Sequence, residues 1–222
     1  MELLDVVNYV FFAITISVAG AWVVLIKSMA SSFTKTPYLD RFEKTNREKP
    51  KVSIILPARN EEGFIEKCLD SLLDQDYDNY EIIAIDDSSD DSTGKIIAQY
   101  ADRNQKVIHV SARPKPDGWM GKNWACIEGY KKATGQLLLF TDSDTRHSKS
   151  IVSLAVDHLL SLELDALTVI PKMNCLDVWT RITLPVLSTF LHTRFSALRV
   201  NDPAKKTGYV NALIAVVLKN TH

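Results

Sequence analysis

The chain has no clustered excess of basic residues: 26 Lys and Arg stand against 27 Asp and Glu, a net charge of -1. Nucleic-acid binding ordinarily leaves a basic patch or stripe, so a nucleic-acid partner is not expected. Cysteine is scarce as well. Cys68, Cys126 and Cys175 are odd in number, widely separated and without CxxC or Cys/His ligand spacing, a usage that reads as reduced buried thiols rather than a disulfide framework or a zinc site. The turn after the first strand-like run, Pro57-Ala58-Arg59-Asn60-Glu61, contains no glycine. The dinucleotide fingerprint GxGxxG is therefore absent, as is a Walker lysine loop, and a phosphate-bearing ligand is not cradled by backbone amides there. No internal repeat and no low-complexity tract occur.

What is present is an alternation of apolar runs and acidic turns. Val52–Leu56, Glu81–Ile85 and Gln136–Phe140 are short, continuous and apolar, as strands covered on both faces of a parallel sheet should be. Each breaks off into an acidic stretch: Pro57-Ala58-Arg59-Asn60-Glu61-Glu62, Asp86-Asp87-Ser88-Ser89-Asp90-Asp91, and Asp142-Ser143-Asp144. In an open α/β sheet the carboxyl ends of the strands form the ligand crevice. Several carboxylates gathered there repel one another, and such a site asks for a cation.

The rest of the domain follows from periodicity. Asn60 is positioned to cap a helix carrying Phe64, Ile65, Cys68, Leu69, Leu72 and Leu73, and Ser92 to cap one through Ile96, Ile97 and Tyr100. Further expectations are strand Lys106–Val110, a helix over 122–133, a helix with Ile151, Leu154, Ala155, His158, Leu159 and Leu162 on one face, strand Ala166–Ile170, and a final strand-like run, Tyr209–Leu218.

The N-terminus poses a separate problem. From Val6 to Ile26 no residue is charged, and at ~1.5 Å per residue such a helix matches the ~30 Å hydrocarbon core. A cleaved signal peptide is the competing reading, but the apolar run is too long and Glu2 and Asp5 stand where a basic start is expected. Lys27, Lys35, Arg41 and Lys44 follow the run, so its C-terminal side is expected in the cytoplasm. The organisation read from sequence is a transmembrane anchor over 1–27, a polar basic linker over 28–50 and an α/β domain over 51–222. Within the last, residues 176–200 alternate Trp179, Ile182, Val186, Leu187, Phe190 and Leu198 with Arg181, His192, Arg194 and Arg199. That pattern suits a helix lying on a membrane or one packed on the domain, with Pro185 predicting a kink or two shorter helices.

The chemistry concentrates at Asp142 and Asp144. Two carboxylates one residue apart at a strand end can divide the work, one directed at a ribose and one at a Mg²⁺ or Mn²⁺ bridging two phosphates. Alone, a DxD is common by chance in acidic turns; the order of three acidic strand ends gives it weight.

These residues resemble the family 2 glycosyltransferases of GT-A fold, across about residues 51–218. The implied fold is α/β, a Rossmann-like open, mostly parallel sheet with flanking helices, preceded here by one transmembrane helix. The resemblance implies that Pro57, Ala58, Arg59, Asn60 and Glu62, with Asp87 and Asp91, form the nucleotide site, and that Asp142 and Asp144 are the metal motif. The stretch Gly118-Trp119-Met120-Gly121-Lys122-Asn123-Trp124-Ala125-Cys126 is similar to the Gly-Lys-x-Trp-Ala segment of the branch that glycosylates membrane lipids such as hopanoids, carotenoids and ceramide, which makes Lys122 a donor contact. The implied reaction is an inverting attack of an acceptor hydroxyl, a lipid's in that branch, on a UDP- or GDP-sugar with Mg²⁺ or Mn²⁺. The family's general base, a later Asp, and its Gln-Arg-Trp type motif are not found. Where the branch reads Asn-Gly-Gln and a basic pair, this chain has Asn211-Ala212-Leu213. No catalytic base is assigned, and a C-terminally incomplete domain or a non-catalytic membrane subunit, completed by a partner chain, is the alternative. A nucleotidyltransferase shares the strand-end carboxylates, but wants a glycine-rich basic loop after the first strand.

Several neighbours of the motifs carry plainer expectations. Asp86 and Asp87 can serve as helix caps, Trp119 and Trp124 as packing, His147 as a polar surface residue or a further metal ligand, and His158 as a core residue. Arg113 and Lys115 either counter diphosphate charge or solvate a proline-rich loop.

Overall fold

The computed structural model describes residues 3–35, 39, 49–169, 177–194 and 216–219. In chain order its elements are α1 (Leu3–Lys35), β1 (Val52–Ala58), α2 (Ile65–Leu73), β2 (Tyr80–Asp86), α3 (Thr93–Arg103), β3 (Val107–Ser111), α4 (Gly121–Tyr130), β4 (Leu137–Phe140), α5 (Ile151–Ser161), β5 (Ala166–Thr168), α6 (Val178–Arg194) and β6 (Val216–Lys219). They fall into two compact units: Met1–Tyr38 with Met173–Tyr209, and Leu39–Lys172 with Val210–His222.

The second unit is the expected open sheet, in the order β3-β2-β1-β4-β6-β5. β1, β2, β3 and β4 run parallel, while β6 runs antiparallel to both β4 and β5. Apolar residues on both sides of the central strands explain their continuous patterns. Val52, Ile54, Leu56, Ile82 and Leu139 join Ile65, Cys68, Leu72, Ile97 and Val152 in one cluster, and Ile55, Ile83, Ile85 and Ala125 form another on the opposite side. Ile54, Ile55, Leu56, Ile82, Ile83 and Ile85 have no exposed surface, each contributing about 1.5–3 kcal/mol by burial. α4 approaches the sheet at Gly129, where a Cβ would meet Ile85 Cδ1 at 2.6 Å and Ile55 Cγ2 at 2.9 Å, so the close seat of α4 requires glycine. After β3 the chain crosses to the other side of β1, which creates a switch point between β1 and β4.

Several local expectations are corrected. α2 begins at Ile65 after Phe64, not at Asn60, and Phe64 lies exposed at 57% instead of in the core. Asn60 has φ 55°, a left-handed conformation that asparagine tolerates, and it serves the turn. Ser92 stands at the start of α3 but its side chain makes no capping bond; Asp91 Oδ1 accepts from the Thr93 N–H at 2.9 Å instead. Pro57 and Ala58 belong to the strand rather than to a turn. Ile55 C=O accepts from the Thr141 N–H at 3.1 Å, so Pro57, two residues on, turns its missing donor past the last residue of β4, where no ladder bond is lost. β5 ends at Thr168, and of the run 209–218 the structure describes a strand only at Val216–Lys219. Cys175, Asn211, Ala212 and Leu213 lie outside the described residues, as do 170–176 and 195–215.

In the other unit, α1 runs to Lys35, because no charge or breaker interrupts Ser28–Thr34 except polar hydroxyls; Thr34 Oγ1 donates back to Ala30 C=O at 2.9 Å. Its stretch Asp5–Ser31 is long and apolar enough to cross a membrane. α6 is one helix with Pro185 inside it, not two shorter ones. Proline removes a single donor there, and at an exposed position the carbonyl that loses it is open to solvent. Thr189 Oγ1 lies 4.0 Å from Met29 Sδ of α1.

Candidate functional site

The turns after β1 and β2 are joined by five hydrogen bonds. Asn60 N–H donates to Ser89 Oγ at 3.0 Å, Glu61 N–H to Thr93 Oγ1 at 2.8 Å and Glu62 N–H to Asp91 Oδ2 at 3.2 Å. In return Asn60 Oδ1 accepts from Asp90 N–H at 2.8 Å and Glu62 Oε2 from Ser92 N–H at 3.0 Å. Asn60, Glu62 and Asp91, three expected nucleotide-site residues, thus hold the two turns to each other. Burial pushes the Asp91 carboxyl up, but hydrogen bonds from Thr93 and Glu62 outweigh it and hold it below the usual carboxylate range. Asp86 Oδ1 accepts from the Ser89 N–H at 3.1 Å, bracing the same turn rather than capping α3. Pro57 and Ala58 line the end of β1 through backbone, with Ala58 C=O accepting from Asp87 N–H at 2.9 Å. Arg59 is exposed.

Asp87 is buried at 9% exposure, and its Oδ2 would lie 3.2 Å from a Cβ on Gly121, so its carboxylate abuts the first turn of α4. The next residue, Lys122, pairs with Asp142 Oδ1 from the end of β4. The Gly-Lys stretch therefore meets both the second and the third acidic turns. Asp144 is exposed and makes no hydrogen bond or ion pair to a described residue. Glu61, to which the sequence motif assigned no separate role, feels burial first and then Asp144, Asp91 and Asp142, which together push its carboxyl up against the opposing pull of Lys122. The carboxylates of all three turns therefore share one electrostatic neighbourhood, with Lys122 as the nearby cation.

Among the described residues no three His, Cys, Asp or Glu side chains converge as a metal cage. Asp144, exposed and without an ion-pair partner among the described residues, and Asp142 suit a hard divalent cation that takes one or two carboxylates and completes its shell from phosphates and water. The donor set fits Mg²⁺ or Mn²⁺ on those terms.

His147 departs from its expected surface role. Its Nε2 lies 2.9 Å from Thr141 Oγ1 and 3.0 Å from Thr145 Oγ1, and its backbone N–H donates to Ser71 Oγ at 3.1 Å. Burial pushes its pKa down to about 4, so the ring is neutral near pH 7. His158 is buried in α5, as expected. Cys68 is buried against the back of the motif, its thiol pushed up to about 12, chiefly by burial, and inert.

Arg113 does not face the acidic turns. Its Nε and Nη2 donate to Glu128 at 2.7 and 2.9 Å, while Lys131 Nζ holds the same carboxylate at 2.9 Å. These bonds, from Arg113 first, take the Glu128 carboxyl down to about 2. Trp124 packs as expected, buried, donating from Nε1 to Arg113 C=O at 2.7 Å, with Trp119 edge-on at 5.5 Å between ring centroids.

Comparison with known proteins places these features in a family. Residues 53–209 match the model described as glycosyl transferase family 2. The chain is 29% identical over 165 residues to the probable glycosyltransferase YdaM of Bacillus subtilis (strain 168), covering 70% of this chain and 38% of that protein. It is 37% identical over 93 residues to the 4,4'-diaponeurosporenoate glycosyltransferase of Staphylococcus haemolyticus (strain JCSC1435), covering 42% of this chain and 24% of that one. Both relatives are thus matched over well under half of their length. The solved structure of mannosyltransferase PcManGT from Pyrobaculum calidifontis, in complex with GDP-Man and Mn²⁺, superposes with a TM-score of 0.61 at 20% identity, over 94% of this chain and 55% of that one; the likeness is one of fold.

Proposed function

Because the chain belongs to glycosyl transferase family 2, we propose that it carries the donor-binding domain of a membrane-anchored, metal-dependent glycosyltransferase that moves a sugar from a UDP- or GDP-sugar to a lipid acceptor with inversion. The observation that carries this reading is the meeting of three acidic turns and Lys122 at the carboxyl ends of β1, β2 and β4. This is where an open α/β sheet receives its ligand.

Asp144 and Asp142 are the residues to hold Mg²⁺ or Mn²⁺, which when bound neutralises charge developing on the departing diphosphate. Asp87, beside the first turn of α4, contacts the nucleoside. Lys122 offers a cation to the phosphates and in their absence neutralises Asp142. Asn60, Glu62 and Asp91 keep the crevice shaped by locking its two turns. The bound Mn²⁺ and GDP-Man of the Pyrobaculum protein support a divalent ion and a nucleotide sugar here, and the 4,4'-diaponeurosporenoate glycosyltransferase among the relatives supports a lipid acceptor.

α1 supports anchoring: Asp5–Ser31 at ~1.5 Å per residue exceeds the ~30 Å hydrocarbon core. Lys27 at its C-terminal side supports a cytoplasmic catalytic domain. α6 extends that attachment along the interface. Trp179, Ile182 and Val186 are exposed on it beside Arg181, a composition suited to the headgroup boundary.

The test is calorimetric titration of the full chain in detergent with UDP- and GDP-sugars, with and without Mn²⁺. Metal-dependent binding of one of them is expected. Failure of every nucleotide sugar to bind in either condition refutes the donor site.

A further inference from the structure

Behind the Asp142–Asp144 turn lies a compact polar cluster. Thr145 Oγ1 donates to Asp142 C=O at 2.6 Å, and the Thr145 N–H reaches the same oxygen at 3.4 Å. Cys68 S–H approaches it at 3.6 Å. Thr141 Oγ1 and Thr145 Oγ1 are 3.1 Å apart, and His147 Nε2 contacts both. A second tier fixes the loop that carries His147. Ser71 Oγ accepts from the His147 backbone N–H, and Gln75 Nε2 donates to Ser148 C=O at 3.0 Å while Gln75 Oε1 accepts from Val152 N–H at 3.2 Å.

Counting protons assigns the imidazole. The Thr145 hydroxyl proton is committed to Asp142 C=O, so three contacts remain, among Thr141, Thr145 and His147. With a bare Nε2 only the Thr141 proton is left to serve all three. With the proton on Nε2, the ring donates to both hydroxyl oxygens as a three-centre bond, and the Thr141 proton goes to Thr145 Oγ1. Every contact is then satisfied. In that arrangement Thr145 Oγ1 accepts twice and its own proton stays on Asp142 C=O at 2.6 Å, with the Cys68 sulfur beside it.

We propose that His147, as its Nε2–H tautomer, is a positioning residue that acts through the Thr141 and Thr145 hydroxyls to set the backbone of the Asp142–Asp144 turn for a divalent cation bound with a nucleoside diphosphate. It is not a ligand of that cation, because the nitrogen facing the turn is spent on two hydroxyls. The inference rests on the metal-dependent donor site proposed above and adds the group that shapes it. Outer-shell partners of this kind change metal affinity by about 10- to 100-fold when removed.

The experiment uses the full chain in detergent, titrated with UDP alone, with Mn²⁺ alone and with UDP at saturating Mn²⁺. His147→Leu is expected to weaken Mn²⁺ binding, alone and with UDP, by about 10- to 100-fold while leaving metal-free UDP binding unchanged. His147→Gln, which returns an N–H at the Nε2 position, is expected to recover most of it. Thr145→Val repeats the loss and Thr145→Ser restores it, should His147→Leu not fold. The long-range nitrogen–proton correlation spectrum of the unaltered protein is expected to show His147 protonated on Nε2. Equal Mn²⁺ affinity in His147→Leu, an equal loss of metal-free UDP binding, or a proton on Nδ1 overturns the inference while the donor site stands. Absence of Mn²⁺-dependent binding in the unaltered chain overturns both.

Discussion

Replacing Lys122 by methionine separates the two things this lysine does, because they respond with opposite sign. The Asp142 side chain is 10% exposed and that of Lys122 47%, so the pair lies between a surface ion pair, worth ~0–1 kcal/mol, and a buried one, whose rupture costs ~3–5 kcal/mol. A loss of about 1–2 kcal/mol is expected, which for a chain of this size is a drop of roughly 2–8 °C in Tm. Binding changes more. Unit charges ~4 Å apart interact by ~1 kcal/mol even at the dielectric of water. Removing one positive charge beside a divalent cation therefore relieves about 2 kcal/mol of repulsion, and Mn²⁺ alone should bind roughly 30-fold tighter at low salt. UDP without metal loses a cationic contact and should bind about tenfold more weakly. Melting curves and separate titrations of the full chain with Mn²⁺ and with UDP read all three quantities. Unchanged affinity for both ligands, or a shift of both in the same direction, refutes the placement of Lys122 between metal and diphosphate.

Three further outcomes are expected. Asp144→Ala should abolish Mn²⁺-dependent binding of the nucleotide sugar and leave Tm within about 2 °C, since the side chain is exposed and holds no partner among the described residues; calorimetry beside a thermal melt reads both, and retained metal-dependent binding rejects the assignment. Asp87→Ala should weaken UDP about tenfold in the absence of metal as well as in its presence, and a defect confined to the Mn²⁺ titration contradicts its nucleoside role. Glu61→Gln should stabilise the fold at neutral pH. Burial and neighbouring carboxylates raise the folded pKa of Glu61 above its usual range, so its contribution to stability is full at acid pH and is lost as pH rises through that folded value. The gain in Tm should be present at pH 7 to 8 and vanish below the ordinary carboxylate range, and a gain independent of pH rejects the shared field.

Strand positions were the most legible part of the fold. Continuous apolar runs identify strands covered on both faces, and all three central runs lie in the sheet within two residues of their expected limits. Asp142, Asp144 and Asp87 stood out in the sequence because acidic turns after buried strands are costly unless something cationic answers them, whereas Lys122 stood out only through the resemblance of its Gly-Lys-x-Trp-Ala stretch. Local capping was less legible. Asn60 and Ser92 have the right side chains for caps, but Asn60 Oδ1 is taken across the gap by the Asp90 N–H, and at α3 the neighbouring Asp91 takes the Thr93 N–H in place of Ser92. Pro185 illustrates the same limit, since whether one missing donor breaks a helix depends on what surrounds its carbonyl.

The sequence by itself determined the alternation of strand and helix, the apolar length of α1 and the acidic character of the strand ends, since periodicity, length and charge are properties of neighbours along the chain. Only the tertiary structure decided which carboxylates act on one another, that Lys122 closes on Asp142, that Arg113 turns away to Glu128, and that His147 stands behind the DxD turn instead of on the surface. These are contacts between residues that are either far apart in sequence or turned toward each other by a loop. Their formation depends on strand order, and on the crossing from β3 to the far side of β1 that brings the third acidic turn beside the first.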